Sequence, residues 1–149
     1  MIKKADTLEG KYLIFAIEDE LYGMEIRYIT EIIGIQPIAE VPGLQKDYIK
    51  GITNLRGKII PVMDVRLRFN KPERAYDKRT CIIVIDTNDS SMGLIVDRVA
   101  EVVPIPDDEI VPPPEMGKGK NKYIKGVGNA EGNVRLLLDC ERLLTDGDE

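Results

Sequence analysis

The chain contains no histidine and no tryptophan. Lack of imidazole excludes histidine bases, histidine-containing triads and most zinc sites. With no tryptophan and only two phenylalanines, the aromatic platforms that stack single-stranded nucleic acid are scarce. Cysteine is scarce as well: Cys81 and Cys140 stand alone, with no CxxC spacing, so neither a disulfide framework nor a redox motif is present. Two unpaired thiols suit a reducing cytosol. No apolar run approaches the roughly 18 residues that a membrane helix needs, and MIKKADTLEGK at the start has no apolar stretch of the signal-peptide kind. Excess positive charge is missing too. Twenty-six acidic against 21 basic residues leave −5 net, which repels phosphate backbones and anionic lipid. The expectation is a cytoplasmic globular domain of 149 residues, long enough to bury a core, with no nucleic-acid partner and no direct membrane insertion.

β-Branched residues are abundant. Isoleucine and valine number 20 and 11, against 12 leucines and 6 alanines, and such side chains fit a pleated surface better than a helix. Short strands are predicted at Tyr12–Glu18, Leu21–Ile26, Glu31–Ile38, Lys58–Asp64, Cys81–Asp86, Met92–Val96, Ala100–Ile105 and Val134–Asp139. Turn signals at Glu18-Asp19-Glu20, Arg56-Gly57-Lys58, Asn88-Asp89-Ser90 and Glu131-Gly132-Asn133 separate them, a pattern of all-β barrels or sandwiches. Asp64 before VRLRF and Asp139 before CERLL are candidate N-caps of short helices, the second at the C-terminus. Five of the nine prolines and the alternation Gly117-Lys118-Gly119-Lys120 fall between Pro104 and Lys122, which reads as a long surface loop rather than a phosphate loop.

The chain also repeats itself. ELYGMEIRYITEII at 20–33 aligns with SSMGLIVDRVAEVV at 90–103, matching Gly23 to Gly93 and Glu31 to Glu101. IKGITNLRGKIIPVMDVRLRF at 49–69 aligns with IKGVGNAEGNVRLLLDCERLL at 124–144, matching Gly51, Asn54, Gly57 and Asp64 to Gly126, Asn129, Gly132 and Asp139. Two blocks in the same order predict two similar β units of about 70 residues; a unit that small is marginal alone. Arg56 is replaced by Glu131 at the equivalent turn, which suggests that the two copies contact different things.

Enzyme chemistry finds little support. A duplicated β protein with Asp64 and Asp139 at equivalent positions invites comparison with the aspartic proteases, in which two carboxylates share a proton. Here, however, no Asp-Thr/Ser-Gly turn surrounds them, and helix capping explains both. Asp107-Asp108-Glu109 lacks calcium-loop spacing, and the cysteines have no histidine to activate them. Binding is left. IRYITEIIGIQPI over Ile26–Ile38 carries more apolar residues than one face of a small barrel hides, with Ile29, Ile32 and Ile35 at a spacing of three, so part of it is expected on a partner-facing surface. Glu31 and Arg56 are expected to pair and lock two strand ends in register.

Asn54-Leu55-Arg56-Gly57, followed by Ile60-Pro61-Val62 and Asp64-Val65-Arg66, resembles the signature of the CheW family of bacterial chemotaxis coupling proteins. Phe15, Glu18, Glu20, Tyr22-Gly23, Ile29 and Glu31-Ile32 fit the same pattern, as do Pro37 to Pro42, Gly93 with Asp97, and Tyr123 to Gly126. The resemblance spans about residues 11–145. It implies a single CheW-like domain over 1–149, built as two intertwined five-stranded SH3-like barrels on a shared core, the first at about 12–77 and the second at about 78–149. It further implies no enzyme activity and no cofactor. The implied partners are chemoreceptor cytoplasmic tips and the regulatory domain of the CheA histidine kinase. CheW-like domains also occur within CheA and CheV, but this chain has no room for a kinase or receiver domain, so the free-standing adaptor is expected. Carried over by motif, the receptor site would comprise Ile29, Glu31, Ile32 and Arg56, with Ile82 and Val102 from the second barrel. The kinase site would comprise Ile38, Val41 and Pro42. Gly23, Gly51, Gly57, Asp64, Gly93, Gly126 and Asp139 would be structural.

Overall fold

A computed structural model of the chain describes residues 10–43, 48–87, 90–113, 120–130 and 132–144. It is mostly β-strand. The first copy of the repeat supplies β1 (Lys11–Ile17), β2 (Glu20–Glu25), β3 (Ile29–Gly34), β4 (Ile49–Leu55), β5 (Lys58–Asp64) and helix α1 (Val65–Arg68). The second supplies β6 (Cys81–Asp86), β7 (Ser91–Val96), β8 (Arg98–Pro104), β9 (Ile110–Val111), β10 (Ile124–Ala130), β11 (Asn133–Leu138) and helix α2 (Cys140–Leu144). The predicted all-β class with a short C-terminal helix is therefore what the chain adopts.

The strands form two sheets, ordered β8-β1-β2-β11-β10-β9 and β3-β6-β7-β5-β4. Replacing every strand of the second order by its counterpart in the other repeat yields β8-β1-β2-β11-β10, which is the first order without β9. The smaller sheet thus takes the β6–β7 hairpin from the second copy and three strands from the first, and the larger takes the β1–β2 hairpin from the first copy and four strands, β9 included, from the second. The copies meet at the two parallel pairs, β2 with β11 and β5 with β7, and on the other side of each hairpin at β1 with β8 and β6 with β3. Gly23 faces Leu137 in the first parallel pair and Gly93 faces Val62 in the second. An added Cβ would lie 2.7 Å from a Leu137 methyl at Gly23 and 2.8 Å from an Ile82 methyl at Gly93, so neither exchange point has room for a side chain.

The compact units are accordingly Met1–Tyr28 with Ala100–Glu149, and Ile29–Val99. This corrects the sequential division at about residue 77: a repeat boundary marks similarity along the chain, whereas strand exchange sets which segments pack together. In the Ile29–Val99 unit, Ile60, Val62, Ile82, Val84 and Ile95 form a core cluster, with Ile33, Ile35, Ile38, Leu55 and Tyr76 packed on it. In the other unit Tyr12, Ile14, Ile105 and Leu137 do so, with Leu21, Val103 and Ile110 alongside. Among the described residues, neither ladder closes on itself. β3 and β4 are the edges of the smaller sheet, β8 and β9 those of the larger.

Other boundaries differ for local reasons. β3 ends at Gly34 rather than Ile38, since Pro37 has no ladder donor; Ile35 and Ile38 still reach the core from irregular backbone. β4 and β10 were obscured by Gly51, Gly126 and Gly128, which break the β-branched pattern. Gly51 has φ +155°, and a Cβ there would lie 2.1 Å from the Ala39 carbonyl oxygen. The interval expected as pure loop after Pro104 holds a 3-10 turn at Asp107–Glu109 and the short β9. It is anchored by Ile105, whose N–H donates to the Gly10 carbonyl at 2.9 Å. Asn88-Asp89, Gly117 to Gly119 and Glu131 lie outside the described residues.

Candidate functional site

The hairpin β4–β5 turns on Arg56 and Gly57, with Leu55 paired to Lys58. Both turn residues have positive φ, +54° and +85°, as a two-residue hairpin loop requires to match strand twist. Glycine accepts this freely, whereas a left-handed arginine costs roughly 1–2 kcal/mol. Across the turn, the Asn54 Oδ1 accepts the Gly57 N–H at 2.9 Å. Leu55 anchors the strand end in the core cluster, and the Arg56 side chain stands 75 % exposed.

From there Arg56 Nη1 donates to Glu31 Oε2 at 2.5 Å. Glu31 lies on β3, so the pair joins the two edge regions of one sheet rather than fixing the register of neighbouring strands. Two further contacts act in the same sense. Ala39 and Ile52 form an isolated antiparallel bridge with two 2.9 Å hydrogen bonds, and Thr53 Oγ1 donates to the Pro37 carbonyl at 2.9 Å. The chain leaving β3 is thereby held along β4.

The expected receptor residues fall into separate groups. Ile29 and Glu31 are half-buried on β3, and Ile32 is 42 % exposed. The spacing of three does not define a face. β3 alternates with period two, so Ile33 points to the core while Thr30, Ile32 and Gly34 are exposed. Val102, 47 % exposed, lies on β8 of the other unit. Ile82 is corrected: it is 0 % exposed within the core cluster, because β6 is the interior neighbour of β3, and its side chain cannot touch a partner. Of the expected kinase residues, Ile38 is half-buried on the core cluster, Val41 is half-buried and Pro42 is exposed.

Sequence reasoning missed the exposed apolar residues Ile59 and Val134, both 56 % exposed, and Val111 at 51 %. Ile59 and Val134 occupy equivalent positions of β5 and β11, 75 residues apart, just as Ile32 and Val102 occupy equivalent positions of β3 and β8, 70 apart. The repeat alignment held that signal, but an isoleucine in a strand reads as core until its face is known. Around Glu101 the second unit differs: this glutamate meets Arg135 on β11 at 3.5 Å instead of a turn arginine.

The two aspartates are structural caps. Asp64, 1 % exposed, accepts the Arg66 N–H at 2.9 Å on Oδ1 and the Tyr76 hydroxyl at 2.7 Å on Oδ2. Asp139 accepts the Arg142 N–H at 3.1 Å. Burial, then the bond to Asp64, holds the Tyr76 hydroxyl above its ordinary pKa, so it remains a donor. Beside them Arg66, part of the family pattern but given no role there, meets Asp97 with Nε and Nη2, each at 2.9 Å, and donates from Nη1 to the Pro72 carbonyl at 3.0 Å. Such a buried two-pronged pair has all its geometry taken up by the fold. No group of three or more metal-ligating side chains occurs among the described residues, and no described helix is long and apolar enough to cross a membrane.

Residues 11–148 match the CheW-like domain family. The chemotaxis protein CheW of Klebsiella aerogenes is 33 % identical over 141 residues, covering 94 % of this chain and 84 % of that protein. The Bacillus subtilis protein of the same name is 31 % identical over 135 residues, covering 90 % and 86 %. Among solved structures, the scaffolding protein TtCheW from Thermoanaerobacter tengcongensis superposes with a TM-score of 0.82 at 34 % identity, over 90 % of this chain and 86 % of that one. With the family signature folded into the Arg56 hairpin and the match running through both units, the chain belongs to the CheW-like domain family.

Proposed function

We propose that the protein is a non-enzymatic chemotaxis adaptor that links chemoreceptor cytoplasmic tips to the regulatory domain of the CheA histidine kinase. The observation that carries this reading is the paired exposure of apolar side chains at equivalent positions of the two units, Ile32 with Val102 and Ile59 with Val134. Single exposed apolar side chains are ordinary on any surface, so it is their recurrence at equivalent positions of the repeat that supports reading them as partner-facing.

The receptor tip, a helical segment, would engage Ile29, Glu31, Ile32 and Arg56. Apolar contacts would supply affinity in the helix-in-groove manner, while Glu31 and Arg56 would set orientation and encounter rate. The kinase domain would engage Ile38, Val41 and Pro42. Single contacts of this kind are modest, and assembly into an array multiplies them through effective concentration. On this reading the adaptor works in the cytoplasm, held at receptor arrays by its partners.

The test is reconstitution. Purified protein, a CheA regulatory domain and a receptor cytoplasmic fragment should form a ternary complex on size exclusion. Arg56→Glu should remove the receptor fragment and Val41→Glu the kinase domain, each leaving the other bound. Failure of either partner to bind the native chain would overturn the proposal.

A further inference from the structure

Arg56 sits where its own backbone preference works against it. In a two-residue hairpin with both central φ values positive, asparagine, aspartate or glycine is the usual first residue. Conformations of this kind persist where the surroundings over-determine them. Two groups do so here: Leu55 pins the end of β4 in the core cluster, and Asn54 spans the turn from its side chain to the Gly57 N–H. Asn54 is itself exposed and adds nothing to the core. Its repeat counterpart Asn129 is retained, although the charge at the turn changes from Arg56 to Glu131.

We infer that Asn54 is a positioning residue for Arg56: by fixing the Gly57 amide it presents the guanidinium, already tied to Glu31 through Nη1, to a carboxylate on the docking receptor helix. Guanidinium has five donors in a planar fork, and one nitrogen in use for Glu31 leaves a side chain 75 % exposed for a second acceptor. A fork delivers two parallel hydrogen bonds only when its plane is set in advance. The inference rests on the adaptor reading above and adds to it a residue that never touches the partner.

Four variants test it against the receptor cytoplasmic fragment by calorimetry, with amide exchange at Gly57 followed in the free protein. Asn54→Ala should weaken binding about tenfold, the loss that one orienting hydrogen bond supplies, and speed Gly57 exchange. Asn54→Asp, which keeps an oxygen acceptor, should restore both. The double variant Asn54→Ala/Arg56→Ala should bind no worse than Arg56→Ala, because a positioning residue has nothing left to position. Native-like binding by Asn54→Ala while Arg56→Ala binds poorly would overturn the inference alone. Native-like binding by Arg56→Ala would overturn the receptor-site reading and the inference with it. A purely structural role would show as equal loss in Asn54→Ala and in the double variant relative to their parents, and would also overturn it.

Discussion

The Glu31 carboxylate and the Arg56 guanidinium meet across a 2.5 Å hydrogen bond although β3 and the β4–β5 hairpin occupy opposite ends of the strand order. A flat sheet cannot bring its edges together; this one curls, and the Ala39–Ile52 bridge and the Thr53 hydroxyl hold it curled. With Arg56 three-quarters exposed, the ion pair itself contributes about 1 kcal/mol or less to stability. On the adaptor proposal its value lies in orienting the receptor.

Charge reversal at either position separates these roles. Glu31→Arg and Arg56→Glu should each lower the urea midpoint only slightly while weakening receptor-fragment binding. Glu31→Arg combined with Arg56→Glu should recover the fold's edge contact, and binding with it to the extent that the pair sets geometry. Absence of any recovery in the combined variant would show that the partner reads the individual charges.

Asp64 and Asp139 are equivalent in the repeat and unequal in what they hold. Truncation of Asp139 to alanine removes one cap, about 1 kcal/mol. Truncation of Asp64 removes a cap and also strands the Tyr76 hydroxyl, so about 2–4 kcal/mol is expected. Urea unfolding of the two variants measures the difference, and equal losses would contradict the Tyr76 contact.

Much of this was legible in advance, and the omissions have physical causes. Strands rich in β-branched residues, such as Lys58–Asp64 and Cys81–Asp86, are legible to the residue because neighbouring strands and core both favour that pattern. Capping aspartates were legible because the side chain bonds within its own turn. Apart from the Glu31–Arg56 pair, what depends on remote partners was not legible. Strand exchange between repeats leaves no local mark, so the units were misdivided. Ile82 and Ile32 are both isoleucines in strands; only strand order makes one core and the other surface. Arg66 and Asp97 are 31 residues apart, and nothing near either announces the other.

Gly51 and Gly126 are a second unequal pair. A methyl at Gly51 would collide with the Ala39 backbone carbonyl at a φ that L-residues resist. At Gly126 it would meet the Ile110 Cγ2 methyl at 2.8 Å and lie 3.4 Å from the Val111 carbonyl oxygen, a side-chain clash rather than a backbone one, at a φ that other residues adopt. Gly51→Ala should therefore cost at least about 3 kcal/mol and Gly126→Ala about 1–3 kcal/mol. Loss of amide-exchange protection at Ile52, confined to the Gly51 variant, would mark rupture of the Ala39 bridge; protection retained there would contradict the contact.

Alkaline pH provides a test of the buried groups. Burial, reinforced by the Glu25 charge, pushes the Cys140 thiol up from 9.0 to about 12. Tyr22 and Tyr76 are raised above 10.0 by burial and by their bonds to Glu20 and Asp64. Burial acts most strongly on Lys125, against its charge, but the hydrogen bond to Glu25 and the Glu25, Tyr12 and Cys140 charges together outweigh it and raise that group as well. A group whose pKa is higher folded than unfolded binds its proton more tightly in the fold, so the stability it contributes is fully present below the unfolded value. That contribution is lost as pH rises towards the folded one. For Cys140 the window runs from about 9 to about 12. The urea midpoint should thus be flat from pH 7 to 8.5 and fall steadily above 9. Cys140→Ala should make the fall shallower between pH 9 and 10, where the thiol dominates, and leave the later part set by the tyrosines. Thiol reagents at pH 8 should modify the partly exposed Cys81 rapidly and reach Cys140 only at the unfolding rate. An unchanged slope in Cys140→Ala, or equal labelling of both thiols in the native protein, would show that Cys140 is not enclosed.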